Sequence, residues 1–271
     1  MRFSIITINY NHAEGLERTI KSVISQTCKD YEYIVIDGGS TDGSKDVILK
    51  YQEHISYWVS EPDGGIYNAM NKGTKVANGD YCIYMNSGDC FYEFDTLRKV
   101  MNCNGSESII YGNIVINNIY IKAPEFLTLK VFYKSSIFHQ ATFIKRELIQ
   151  SHPYDETLKL ASDWKFFFET IILEDCSYRY IDIIVCDFES GGATDKNHKQ
   201  SRREVFDTLK QHIPERILAD YEDYCYGNSP FRRMMNMVEI IPPVKKIIFN
   251  IDRVLLKFIN IKLNSEWIKE L

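Results

Sequence analysis

From Phe3 to Asn86, short apolar runs rich in β-formers alternate with stretches whose apolar residues recur every three or four positions. That alternation predicts βαβ units and a mainly parallel sheet flanked by helices, an α/β fold. Phe3 to Ile8 reads as the first strand, and Leu16, Ile20, Val23 and Ile24 follow at helical spacing. Tyr31 to Ile36 reads as a second strand, running into Asp37-Gly38-Gly39-Ser40-Thr41-Asp42-Gly43-Ser44, a composition suited to a turn and a helix N-cap. A helix through Val47, Ile48 and Tyr51, a strand from Ile55 to Val59, a helix from Ile66 to Ala77 and a strand from Tyr81 to Met85 complete this half. Beyond it, Ile109 to Ile121 predicts antiparallel strands joined at Asn117-Asn118. Gln140 to Ile144 predicts another strand, Ala161 to Leu173 a helix and Tyr178 to Phe188 a strand. A loop from Ser190 to Asp195 separates this core from an almost purely helical tail, which puts a boundary near Gly192, between 1–192 and 193–271. No internal repeat is visible.

The length, 271 residues, suits one large domain or one domain with an appendage. A hydrophobic share of 45% and a charged share of 25% are those of a globular chain, which excludes disorder. With 32 basic and 37 acidic side chains the net charge is −5, so the chain lacks the field that nucleic-acid binding needs. A phosphate-bearing ligand must be held locally. The seven cysteines are odd in number and contain no C-x-x-C pair, the usage of a reducing compartment. The opening apolar run is too short for a signal peptide, and nothing approaches the roughly 18 apolar residues of a membrane span. The expected location is cytoplasmic, soluble or peripheral on the inner face of the membrane.

In open α/β sheets ligands collect at the carboxyl ends of strands. Those ends are polar here: Asn9 to Asn11, Asp37 to Asp42, Glu61-Pro62-Asp63-Gly64-Gly65 and Asn86-Ser87-Gly88-Asp89. Asp37, Asp63 and Asp89 would converge on one edge. No G-x-x-x-x-G-K-[ST] loop, G-x-G-x-x-G fingerprint or H-E-x-x-H pair is present, so kinase, dehydrogenase and zinc-protease readings lose their support.

The segments Ser4 to Asn11, Tyr33 to Ser44, and Glu61 to Gly73 followed by Gly79-Asp80-Tyr81 together resemble the family 2 glycosyltransferases, which have the GT-A fold. The resemblance covers about residues 3 to 195, and the subgroup it is most similar to builds bacterial surface polysaccharides. It implies that Thr7 and Asn9 line a nucleoside pocket and that Asp37 accepts a hydrogen bond from the base. A carboxylate is an acceptor only and so suits the imide N–H of uracil or thymine. It also implies that Asp63 and Lys72 belong to the donor-binding segment, with Asn71 and Gly73 matching the family's Asn-x-Gly.

Asn86-Ser87-Gly88-Asp89 stands where the family carries an acidic metal-binding motif. Asn86 and Ser87 fall at the donor, and only Asp89 remains acidic, as a ligand for Mg²⁺ or Mn²⁺ completed by diphosphate oxygens and water. Asp163 sits where the family places its catalytic base. His139-Gln140 would face acceptor or diphosphate, and Gly191 to Thr194 resembles the family's segment over the donor, with His198 and Lys199 in reach of phosphate.

The reading is an inverting glycosyltransferase, moving sugar from a nucleotide-diphospho-sugar, by expectation a UDP-sugar, to a glycan or lipid-linked acceptor in capsule, O-antigen or exopolysaccharide synthesis. Two rivals stay open: a non-catalytic nucleotide-sugar scaffold and a sugar-phosphate nucleotidyltransferase. Between Pro230 and Leu271 eight basic residues face four acidic ones, a local +4 in a chain of −5. Val244, Ile247, Ile248, Ile251, Val254, Leu255 and Phe258 would form one apolar helix face there. Such a helix suits either an anionic membrane surface or a homodimer contact.

Overall fold

The computed structural model describes residues 2–103, 105–192 and 196–226. The chain divides into two units, Met1–His212 and Ile213–Leu271. The described part of the second unit carries one helix, Glu215–Tyr226. The basic segment from Pro230 onward and the loop residues Ala193 to Asp195 lie outside the described residues.

The first unit is built on one nine-stranded sheet among the described residues, in the order β3-β2-β1-β4-β8-β6-β9-β5, with β7 paired to β6. Its parallel half contains β1 (Phe3–Asn9), β2 (Tyr31–Asp37), β3 (Tyr57–Ser60) and β4 (Tyr81–Tyr84). The other half mixes directions. β8 (Thr142–Lys145) runs antiparallel to β4 and to β6 (Ile109–Ile116), while β9 (Tyr178–Phe188) runs parallel to β6. β5 (Cys90–Phe91) closes the edge antiparallel to β9. The expected hairpin is present: β6 turns into β7 (Ile119–Ile121) through Asn117 and Asn118, both at positive φ, as a right-twisted two-residue turn requires.

Every residue of β1 is buried, because helices cover both faces of the parallel half. Phe3 and Ile5 point to a core with Leu16, Ile20 and Val23 of α1 (Ala13–Ile24) and Ile48 of α2 (Ser44–Lys50). Ile6, one pleat along, faces α3 (Ile66–Val76). There Gly73 lets the helix approach: a Cβ on it would lie 2.4 Å from Ile6 Cγ2. The remaining helices of the first unit are α4 (Thr96–Asn102), α5 (Leu129–Lys134), α6 (Arg146–Ser151), α7 (Ser162–Phe167, continued as a π-helix over Phe168–Leu173) and α8 (His198–His212). The second unit's helix is α9.

The division of the chain falls at His212 rather than near Gly192, since α8 packs with the core. Glu204 of α8 accepts the backbone N–H groups of Lys159 (3.2 Å) and Leu160 (2.9 Å), and the Arg202 guanidinium lies 4.6 Å from the centre of the Phe206 ring and 5.9 Å from that of Tyr133. Among the described residues no helix is long and apolar enough to cross a membrane.

One buried carboxylate ties the loop before β4 to β1 and β2. Glu32 accepts hydrogen bonds from Ser4 Oγ (2.6 Å), Gly79 N–H (3.0 Å) and Asn78 N–H. Burial raises its pKa, but these donors outweigh burial and hold it below the ordinary value. A carboxyl whose pKa falls on folding contributes stability above its unfolded pKa and loses it as pH falls through the folded one. Glu32→Gln is therefore expected to cost about 1–3 kcal/mol at pH 7, typical of a disrupted buried hydrogen bond to a charged group. In urea titrations the gap to wild type should narrow as pH drops below about 4.

Candidate functional site

The carboxyl ends of β1, β2 and β4 open into a cavity of about 1110 Å³. Its lining includes Asn9, Tyr10, Gly38, Asp63, Tyr67, Asn86, Ser87, Asp89, His139 and Asp163, with Glu189, Lys196 and Asn197 from the chain after β9. Asn9, Asp63, Asn86, Ser87, His139, Asp89 and Asp163 thus come together, although they span most of the first unit. His198 and Lys199 are exposed and do not line it; Lys196 is the cation that does.

Three of the expected donor residues do not line the cavity. Thr7 is fully buried inside the sheet, where its hydroxyl donates to the Met85 carbonyl (2.7 Å) and lies 3.0 Å from the Tyr33 hydroxyl, so it does not reach the cavity. Lys72 also lies outside the lining and is paired with Glu61 at 2.7 Å. Asp37 is fully buried and occupied. Its Oδ1 accepts from Asn9 Nδ2 (2.7 Å) and Ser40 Oγ (2.5 Å), and its Oδ2 from Ser40 N–H (3.0 Å) and Ser60 Oγ (2.6 Å). Burial pushes the Asp37 pKa up, and these four donors bring it below the usual carboxylate range. These four contacts match the roughly four lone-pair sites of a carboxylate.

Asp163 opens α7 and is bound on both oxygens: Tyr67 of α3 donates its hydroxyl to Oδ1 at 2.8 Å, and His139 Nδ1 lies 2.9 Å from Oδ2. On the other side of the imidazole, Asn86 Nδ2 lies 3.1 Å from His139 Nε2. The imidazole thus bridges Asn86 and Asp163, with one ring nitrogen facing each. Burial would raise the Asp163 pKa, but the His139 contact, the Tyr67 hydroxyl and the Trp164 N–H outweigh it and keep the carboxyl below its ordinary value. Its side chain is 21% exposed and lines the cavity. Tyr67 lies within the sequence motif, but nothing in the sequence pairs it with a residue 96 positions away.

Among the described residues no group of three or more His, Cys, Asp or Glu is placed to hold a metal ion. Side by side after β4 the cavity offers the Asp89 carboxylate and the buried Asn86 Oδ1, which has no hydrogen-bond partner among the described residues. Burial pushes the Asp89 pKa up to about 7, against hydrogen bonds from the Glu189 N–H and Gln140 and the field of His139. A sparse, all-oxygen donor set fits Mg²⁺ or Mn²⁺, which keep water and bind substrate phosphates.

Residues 4–135 match the model of glycosyl transferase family 2. An uncharacterized glycosyltransferase of Mycobacterium tuberculosis is 32% identical over 199 residues, covering 70% of this chain and 75% of that protein. The chain belongs to glycosyl transferase family 2. A PGL/p-HBAD biosynthesis glycosyltransferase of Mycobacterium bovis is 29% identical to the transferase over 198 residues, 70% of this chain and 77% of that one. The fold is GT-A. S. aureus TarS 1-349 in complex with UDP-GlcNAc superposes with a TM-score of 0.63 at 18% identity, over 85% of this chain and 74% of that one. The mannosyltransferase PcManGT from Pyrobaculum calidifontis, in complex with GDP-Man and Mn²⁺, gives 0.62 at 16% identity, over 94% and 80%.

Replacing Tyr67 by Phe removes one hydrogen bond from Asp163 of the transferase and little volume. Turnover is expected to fall about tenfold, the scale of one hydrogen bond to a charged group, with donor KM little changed in steady-state kinetics.

Proposed function

We propose that this transferase moves a sugar, with inversion, from a UDP-sugar to a hydroxyl of a glycan or lipid-linked saccharide, in the synthesis of a bacterial surface polysaccharide. The observation that carries the reading is the ionised, partly exposed Asp163 in the same cavity as Asn9, Tyr10 and Asp63. The TarS complex with UDP-GlcNAc supports the choice of nucleotide.

Asp163 takes the proton of the acceptor hydroxyl while its oxygen attacks the anomeric carbon; the bond to the diphosphate breaks and the nucleoside diphosphate leaves with the electron pair. A single carboxylate base suits direct displacement, hence inversion. His139 and Tyr67 hold both oxygens of that base, which keeps it ionised and oriented. Asp89 and Asn86 would hold the divalent cation. When bound, the cation neutralises charge on the departing diphosphate as a Lewis acid. Lys196 and the first turn of α3, whose leading N–H groups lack intrahelical partners, supply positive potential to the same cavity. The polar network around Asp163 speaks against a purely scaffolding role, because a carboxylate kept ionised and accessible is arranged for proton transfer.

Asp163→Asn keeps the size and loses the basicity. UDP release from UDP-sugars with acceptor present is expected to fall by about two to four orders of magnitude. Donor affinity by calorimetry should change little, and wild-type transfer by this variant would remove Asp163 from the mechanism. For the basic carboxy-terminal segment, the proposed role is contact with an anionic membrane. Full-length protein is expected to sediment with phosphatidylglycerol liposomes at low salt and to be released as salt rises. No sedimentation at low salt would exclude that role.

A further inference from the structure

The loop that carries Asp89 is supported from behind by α1. Thr19 Oγ1 accepts the Gly88 N–H at 2.9 Å and donates to the Asp89 carbonyl at 2.8 Å. Its neighbour Arg18 reaches Glu189, the residue after β9, and the guanidinium pairs with Glu189 Oε1. The other oxygen, Oε2, lies 3.5 Å from His12 Nε2, and His12 Nδ1 lies 3.3 Å from the Ser87 carbonyl. The Glu189 backbone N–H in turn donates to Asp89 Oδ1 at 3.0 Å. Glu189 thus meets the Asp89 carboxylate with its main chain while its side chain is held from α1. That side chain lies against Gly88, where a Cβ would overlap Oε2 and where φ is 105°. Glu189 lines the cavity; Arg18 does not, and its side chain is 54% exposed. Nothing in the sequence pairs Arg18 with a residue 171 positions away.

We propose that Arg18 is a positioning residue for the cation and diphosphate: by fixing Glu189 against Gly88, it sets the N–H that orients the Asp89 carboxylate. This rests on the nucleotide-sugar reading above. Partners that orient a metal-binding carboxylate typically govern metal affinity by about 10–100-fold. Arg18 stands one contact further out, so its share is smaller. The chain that follows Glu189, Ser190 to Gly192, also lines the cavity, so the same ion pair fixes where that wall begins.

The test is calorimetric titration of the full-length protein with Mn²⁺ in the presence of UDP, for wild type, Arg18→Ala, Glu189→Gln and the double variant. Arg18→Ala is expected to weaken Mn²⁺ about three- to tenfold with its melting temperature little changed, since an exposed ion pair carries little stability. A role through charge alone predicts the opposite sign, because removing a cation beside the site tightens a divalent ion. Glu189→Gln keeps the size and the backbone N–H and should weaken Mn²⁺ similarly, which keeps the test open if Arg18→Ala does not fold. Both substitutions break one contact, so the double variant should be no weaker than either single variant. Lys50→Ala removes another exposed ion pair to α1, that with Glu17 at 2.8 Å, and should leave Mn²⁺ affinity unchanged. Unchanged or tighter Mn²⁺ binding in Arg18→Ala, losses that add in the double variant, or equal weakening in Lys50→Ala overturns the assignment and leaves the donor reading standing. Binding of UDP but not Mn²⁺ by wild type overturns it too. Binding of neither overturns the assignment together with the reading beneath it.

Discussion

Asp37 is a fully buried carboxylate with four hydrogen bonds from Asn9, Ser40 and Ser60, and the carboxyl edge of the parallel sheet is organised around it. Taking a carboxylate out of water is costly, and only a complete set of donors offsets that cost. Each donor comes from a different part of the edge: the end of β1, the turn after β2 and the end of β3. The charge can be satisfied only when the three strand ends are in register, so it works as a lock on their relative position. The same turn then continues the network outward. Asn11, in a left-handed conformation, donates its N–H to Ser40 Oγ at 2.7 Å and accepts the Thr41 N–H at 2.8 Å. The wall that faces the cavity is stiff because its foundation is polar and saturated.

Asp163 is treated differently. It too accepts hydrogen bonds on both oxygens, but only two from side chains, and part of it remains in contact with the cavity. Asp37 shows what a carboxylate looks like when the fold uses it up; Asp163 shows one left on the cavity wall. Its partners come from α3, from the turn before β8 and, through His139, from the end of β4. The close packing of α3 against Ile6 at Gly73 therefore bears on how Asp163 is held, since α3 carries Tyr67. The anchoring of Lys159 and Leu160 by Glu204 extends that dependence to α8.

Asp89 marks a third outcome, a buried carboxyl with too few donors, whose pKa burial lifts to about 7. Burial disfavours its charged form. A divalent cation and a diphosphate would change that balance by supplying the charge that the protein leaves out.

Much of the architecture was legible along the chain. Apolar alternation marked the strands of the parallel half, and β9 matches its sequence expectation at both ends because Tyr178 to Phe188 is a run rich in β-branched and aromatic residues. The Asn117-Asn118 hairpin was legible because asparagine tolerates positive φ. The polar strand ends located the cavity, since the carboxyl edge of an open sheet is where side chains escape the core. What sequence could not separate was three aspartates of similar local context. Asp37, Asp63 and Asp89 each end or follow a strand beside glycine, yet one accepts four hydrogen bonds, one accepts on a single oxygen and one is so buried that its donors do not offset burial. Likewise Thr7 and Lys72 sit in the matching motifs but do not line the cavity. Periodicity and composition determine which segments form strands and helices and which edge is polar. The number of donors reaching each carboxylate depends on groups far apart in the chain, and only their packing in three dimensions decides it.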